Sequence, residues 1–388
     1  MRALILATVL VLAGCASAPP LAADRPSPPI ASLTDGVWMK GDLHIHSRHS
    51  KDSSNNPEAK IIALGEKVGM DYLLISDHDN HVNGDVAHNT WSDPEFRSDK
   101  LLLLYGAEWT TARGHGTAIS AVPYDHQRLY DVRDDRDVKI GAVKKALGIH
   151  LSANHPANNT NNFTFSYDIV DSVEVWNSAV WPANAGAIKV WDGLLKSGRK
   201  LTGRGGSDSH HGYPDTPAQA TALSYQAREN NVGTPTTWVF ATARTRQAVV
   251  EALTNGRVSV SANPYAPRVE FQASLKADGH MDMMMGDNTA ATGKPVQFRI
   301  QLSGQTPPDA VYKVKVVKDG ATFATLSMTG VKPVVDFTDA PPAGARSYYR
   351  VEVEGPSTPY PEVPGSTALS GNMVALSNPI YFNFDPNF

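Results

Sequence analysis

From Trp38 to about Pro267 the chain alternates short, nearly continuous apolar runs with stretches of helical spacing, the pattern of strands buried on both faces and of helices that cover them. Strands are expected over residues 43–46, 72–76, 101–105, 116–120, 150–154, 172–176 and 201–203. Helices are expected over 57–68, 187–196 and 245–254, with Pro57 suited to a first turn and Gly69 and Gly256 to positions just past an end. The alternation predicts βα units and a mostly parallel sheet or barrel of about seven strands. After about Val269 the period changes to two: Val296, Phe298, Ile300 and Leu302 alternate with polar residues, as do Tyr349, Val351 and Val353. Asp319-Gly320 supplies a hairpin turn, and Pro341, Pro342, Pro361 and Pro364 punctuate the rest, so residues 269–388 read as a small antiparallel β-sandwich without candidate chemistry.

Composition narrows this picture. A chain of 388 residues has room for two domains, here 33–268 and 269–388. A net charge of -4 provides no broad positive field, so a small-molecule partner is expected rather than a long nucleic acid. Cys15 is the single cysteine, which leaves only nitrogen and oxygen ligands for any metal in the body of the chain. It follows the apolar run 3–11 in Leu12-Ala13-Gly14-Cys15, with Arg2 ahead of it. Residues 1–15 therefore resemble a bacterial lipoprotein signal, with an ordinary secretory signal and an incidental cysteine as the alternative. On the first reading the protein is exported and held by lipid on Cys15 in the cell envelope, on the outer membrane facing the periplasm. Residues 16–32, rich in Ala, Pro and Ser, read as a flexible tether.

Twelve of the thirteen histidines lie between His44 and His211. In Asp42-Leu43-His44-Ile45-His46 the two imidazoles are one residue apart and leave a strand on one face, as two ligands of one cation must. Ser76-Asp77-His78-Asp79 ends a buried run, and Glu108 follows another with His115 soon after. His155 closes the run beginning at His150, and Asp208 and His210 follow the glycines Gly205 and Gly206. Taken singly, Asp52 reads as a solvated loop acid, and Glu108 as either a ligand or a rim ion-pair partner. What unites the set is placement: each member is expected at or just past the C-terminal end of a strand, the mouth of a barrel.

The order HxH, Asp, DHD, Glu, His, NHP and SDSH resembles that of the PHP (polymerase and histidinol phosphatase) metallohydrolases. The resemblance covers roughly residues 38 to 268 and implies a distorted seven-stranded β/α barrel. The metal ligands it implies are His44, His46, Asp52, His78, Glu108, His115, His155, Asp208 and His210. Asp52 lies one residue further from the HxH pair than in many members. Export and a β-rich tail containing Ala375-Leu376-Ser377-Asn378-Pro379-Ile380-Tyr381 look like the CehA/McbA branch, which includes carbamate hydrolases and phosphoesterases.

The resemblance implies two or three divalent cations, Zn, Mn or Fe, with Glu108 bridging two and Asp52, His78 and His210 holding a third. Such cations acidify a shared water, so no protein nucleophile is required. Arg48, His49 and Arg204, which neighbour ligands in sequence, are candidates to steady an anionic substrate, and His49 to protonate a leaving group. Asp77, Asp79 and Asn154 are candidates to orient ligand imidazoles. His81, His88, His126, His150 and His211 are read as structural. The leading expectation is a phosphoesterase acting on small organic phosphates. A carbamate, ester or amide hydrolase using the same centre comes second, and a non-catalytic envelope binding module third.

Overall fold

A computed structural model describes residues 35–157, 162–216, 218 and 230–385. The signal, Cys15 and the tether lie outside the described residues. The chain forms a mixed α/β fold built on a large strand-rich sheet and a second, antiparallel sheet.

The first strand, β1 (Val37–Ile45), pairs in parallel with β2 (Tyr72–Ile75), and β2 with β3 (Leu102–Thr111). Helix α1 (Glu58–Lys67) crosses between β1 and β2, with Pro57 extended ahead of it and Gly69 at φ 68° behind. All four residues of β2 are buried, as a central strand covered on both faces requires. A tight turn then sends β3 back as the antiparallel β4 (Gly114–Ser120). Helices α2 (His126–Asp131) and α3 (Asp137–Leu147) lead to β5 (His150–Ala153), antiparallel to β4. Parallel pairing resumes through β6 (Ser172–Asn177), α4 (Ala185–Ser197) and β7 (Thr202–Gly206). Beyond β7 the chain returns to β1: the Asp208 N–H donates to the His44 carbonyl at 2.8 Å, and the His46 N–H to the Ser209 carbonyl at 2.9 Å.

On the other side of β1 lie β8 (Thr236–Ala241) and, after α5 (Arg246–Thr254), β9 (Val258–Ser261), both in antiparallel pairings. The Thr245 hydroxyl caps α5 by accepting the Ala248 N–H.

The remaining strands are β10 (Arg268–Ser274), β11 (Met283–Met284), β12 (Asn288–Thr289), β13 (Val296–Ser303), β14 (Val311–Lys318), β15 (Ala321–Thr329), β16 (Val334–Asp339), β17 (Ser347–Glu354), β18 (Met373–Ser377) and β19 (Ile380–Phe382). Strands β11, β10, β13 and β16 form the second sheet. Its Phe271, Phe298 and Ile300 share a core with Val314, Val316, Tyr349 and Val351 of β14 and β17. The expected alternation holds along β13, and Asp319-Gly320 turns β14 into β15 with both residues at positive φ. In β17 it does not hold, because seven of its eight residues are buried between neighbours on both faces. Strand β18 pairs with β9, so the large sheet runs without a break from the first part of the chain into the last. Among the described residues no helix is long and apolar enough to cross a membrane.

Candidate metal centre

The return of the chain from β7 to β1 brings the separate motifs together. His44 lies in β1 and His46 just past it, both fully buried, with their rings 5.2 Å apart. Gly206 makes room for this approach: a Cβ there would lie 2.5 Å from the His44 Cβ and 2.5 Å from Glu174 Oε1. Asp208 and His155 hold their carboxylate and imidazole on left-handed backbone, at φ 51° and 26°, a cost that marks positions fixed by their surroundings.

All nine sequence-expected ligands meet here. Glu108 Oε1 lies 3.3 Å from His44 Nε2, 3.3 Å from His115 Nδ1 and 3.2 Å from His155 Nε2. Its other oxygen, Oε2, lies 3.4 Å from His46 Nε2 and 2.8 Å from His78 Nδ1. Asp208 Oδ1 is 3.3 Å from both His44 Nε2 and His46 Nε2, and 3.5 Å from His210 Nδ1. Asp52 Oδ2 is 3.4 Å from His78 Nε2 and 3.5 Å from His210 Nε2. Asp52, 49% exposed, lies on the open side of the cluster; Glu108 lies at its buried centre.

Glu108 and His115 do not sit at or past the C-terminal end of a strand: β3 runs on past Tyr105 to carry Glu108 in its interior, and His115 lies at the start of β4, so both belong to the β3–β4 hairpin. The hairpin still faces them inward, because Glu108 pairs with Thr117 and Thr110 with His115 in its register.

Hydrogen bonds around the cluster fix which ring nitrogen faces inward. His44 Nδ1–H donates to Glu174 Oε1 at 2.9 Å, which turns the Nε2 lone pair to the centre. The Ser50 hydroxyl donates to Asp77 at 2.8 Å, so it accepts from His46 Nδ1–H at 3.1 Å. Thr110 Oγ1 lies 2.7 Å from His78 Nδ1, and the Thr110 N–H donates to Asp79. Asp77 and Asp79 thus reach the His46 and His78 imidazoles only indirectly, through Ser50 and Thr110. Asn154 donates to Glu108 Oε1 at 2.8 Å and contacts a carboxylate instead of an imidazole.

Glu174 and Asn177, absent from the sequence reading, complete the support, with Asn177 Nδ2 donating to Glu174 Oε2 at 3.0 Å and to Asp208 Oδ2 at 3.1 Å. Glu174 carries a signal that was available: a lone carboxylate at the centre of an apolar strand needs a buried partner.

Arg204, expected to steady substrate, is fully buried. Its guanidinium bonds Glu174 Oε1 at 2.7 Å, Ser152 Oγ at 2.8 Å, Thr117 Oγ1 at 3.1 Å and Asn154 Oδ1. It therefore positions Glu174 and Asn154 from beneath. Arg48 and His49 are not directed at the nine groups: both bond Asp93, at 2.6 and 2.7 Å. Among the residues read as structural, His126 donates to Asp79 at 2.8 Å and His150 sits between Ser172 and Thr254 hydroxyls. His88 is exposed, and His211 bonds Ser54 Oγ. His81 lies nearer the site, its ring 4.8 Å from that of His78.

Two observations test whether cations fit. His44 Nε2, His46 Nε2, Glu108 Oε2, His115 Nδ1 and His155 Nδ1 are buried with no hydrogen-bond partner among the described residues. The electrostatics also call for positive charge. Burial opposes ionisation of Glu108, yet His44, His78 and the close His115 and His155 rings hold it well below the usual carboxylate range. Burial likewise opposes protonation of His78, but Glu108 and Asp52 push it up to about 10. His46, by contrast, is pushed down to about 3, first by burial and then by His210 and His78, and keeps its lone pair. Buried His, Glu and Asp in this arrangement could hold metal ions, and three overlapping groups stand out: His46, His78 and His210; His44, His46 and Asp208; His78, Glu108 and His115. The chain matches no family model and no curated protein.

Proposed function

We propose that the protein is a metal-dependent phosphoesterase acting on small organic phosphates, with two or three divalent cations (Zn, Mn or Fe) held by the nine clustered residues. The observation that carries this reading is the convergence of those groups on Glu108 and Asp208, with buried donor atoms aimed inward. The ordered motif resemblance supports it, and so does the topology. Parallel β1–β2–β3 and β5–β6–β7 with a chain returning to β1 fit a distorted seven-stranded β/α barrel of the PHP kind.

When bound, the cations would supply a water acidified toward neutrality and positive charge for the oxygens of the attacked group. The chain's own contribution is positional. Glu108, tethered by Asn154, presents one oxygen to each half of the cluster. Asp52, His78 and His210 present further donors toward the open side, and a cation held by them would favour a substrate carrying full negative charge over a neutral carbamate. His81 takes the proton-donor role expected of His49: its Nδ1, 3.9 Å from Asp52 Oδ1, accepts the Lys51 N–H, which leaves the ring proton on Nε2, and its ring packs edge-on against that of His78.

Elemental analysis of the purified protein, coupled to parallel assays with an aryl phosphomonoester, a phosphodiester and 1-naphthyl carbamate, tests this. Turnover of a phosphoester that is lost with bound metal in Asp208→Asn is expected. Metal-replete protein that cleaves neither phosphoester overturns the reading, and turnover of the carbamate alone transfers it to the carbonyl hydrolase.

A further inference from the structure

A second cluster of potential ligands lies apart from the nine, where the loop after β1, the first turn of α1 and the segment before β3 meet. His49 Nε2 is 2.7 Å from Asp93 Oδ2 and 3.5 Å from Glu58 Oε1. One donor atom from each of the three lies within 4.8 Å of the others. Glu58 is the unusual member. Its side chain is 0% exposed, and neither carboxylate oxygen has a hydrogen-bond partner among the described residues. A carboxylate buried without compensation is strongly disfavoured, whereas one that meets a cation is not.

The surrounding charges show what is missing. Asp93 and Glu95 share Arg48, whose Nη2 and Nη1 lie 2.6 and 3.0 Å from them. Glu95 Oε2 also accepts the Ala59 N–H, and Asp93 Oδ1 accepts the Glu95 N–H, so both acids are already oriented. Three carboxyl groups, Glu58, Asp93 and Glu95, are thus set against one guanidinium, with the His49 imidazole beside them. Burial first, then Asp77 and Asp93, push the Glu58 carboxyl up to about 9, with Arg48 acting the other way. A proton is one answer to that imbalance, but a protonated Glu58 would still have no acceptor within reach, since His49 Nε2 is 3.5 Å away.

We propose that His49, Glu58 and Asp93 form a separate site for one further divalent cation, ligated by one imidazole and two carboxylates. This donor set suits Mn²⁺, Zn²⁺ or Fe²⁺. The ion joins three chain segments, one of which also carries Ser50 and Asp52, and so stiffens the loop on the open side of the main cluster.

The test uses the full chain, freed of metal by a chelator, reloaded with Mn²⁺ or Zn²⁺ alone, desalted and analysed for metal. His49→Gln should lower the content by about one equivalent, both in the otherwise unchanged protein and in an Asp208→Asn background. The background separates the two sites: failure of the main centre alone leaves the His49-dependent equivalent in place. Glu58→Gln supplies a readout that structural damage would not mimic. Folding without metal obliges the buried Glu58 carboxyl to take up a proton, a cost that Gln does not carry, so the variant should raise the unfolding temperature of the metal-free protein while abolishing the added stability that metal brings through this site. Equal metal content in the parent and both variants overturns the proposal, as does loss of stability in metal-free Glu58→Gln.

Discussion

Glu174 lies between Val173 and Val175 in β6, fully buried, and joins four partners: the His44 ring, the His155 N–H, the Arg204 guanidinium and the Asn177 side-chain amide. Burial works against its ionised form, but Arg204, His44 and His155 hold it down to about 2. Glu174→Gln should therefore weaken metal binding about 10–100-fold, the usual cost of losing a carboxylate behind a ligand imidazole. It should also destabilise the fold by about 3–5 kcal/mol, because Arg204 keeps its buried charge. Competition with a chelator measures the first and urea unfolding the second. Adding Arg204→Met should recover stability without recovering affinity, and recovery of both together would assign Glu174 a purely structural role. His150 supports a pH prediction. Burial pushes it down to about 4, so folding holds it neutral where the unfolded chain would bind a proton. Its contribution is fully present above about pH 6.5 and is lost as pH falls toward 4, amounting to about 3 kcal/mol. His150→Gln should flatten the dependence of the urea midpoint over that window, and parallel curves for parent and variant would refute this. At this scale the paired and strand-end histidines were legible from spacing and residue type, whereas Asp52 and Glu108 joined the set only through the resemblance of the ordered motifs. The supporting residues were not legible: Ser50, Thr110 and Asn177 are ordinary polar residues until tertiary contact gives them a ring or carboxylate to hold.

The seven strands expected in the first part of the chain all exist, as do the three expected helices, shifted by a few residues at their ends. They were legible because each is either fully buried, like β2, or bounded by punctuation that a helix needs, like α1 and α5. What escaped is equally physical. The β3–β4 hairpin hid because Glu108 reads as the end of an apolar run, although the strand carries it inward and continues to Thr111. Helix α3 buries only Ile140, so its apolar stripe is faint, and α2 has six residues. Strands β8 and β9 are antiparallel additions next to β1 and lie outside the βα alternation that organised the reading. The hairpin matters most for the candidate site, since it delivers the carboxylate on which the cluster of histidines is centred.

Packing ties residues before and after about 268 together and makes the later part a support for the nine-residue cluster. Tyr348, Met373, Leu376, Tyr381 and Phe384 belong to the same apolar core as Leu43, Leu74, Val173 and Val260. Asn378 is fully buried and reaches back to β7: its Oδ1 accepts the Gly203 N–H at 2.7 Å, and its Nδ2 donates to the Gly203 and Val258 carbonyls at 2.7 and 2.9 Å. Arg350, also buried, clasps Asp192 of α4 through Nε and Nη2 at 2.8 and 2.6 Å. A chain ending at residue 267 would lose those five apolar side chains, each worth about 1.5–3 kcal/mol when buried, a total comparable with the 5–15 kcal/mol that holds a whole domain together. It would also leave Gly203 and the edge of β9 without partners, on the strand that leads to Gly206 and Asp208. Such a chain should be largely insoluble, or soluble without a cooperative thermal transition, and should retain no stoichiometric metal after desalting. The single change Asn378→Ala in the full chain tests the same coupling more gently: it should lower the unfolding midpoint and weaken metal binding together, although residue 378 touches none of the nine ligands. A shortened chain that unfolds in one sharp transition with its full metal content would show that the later sheets ride on the fold without sustaining the site.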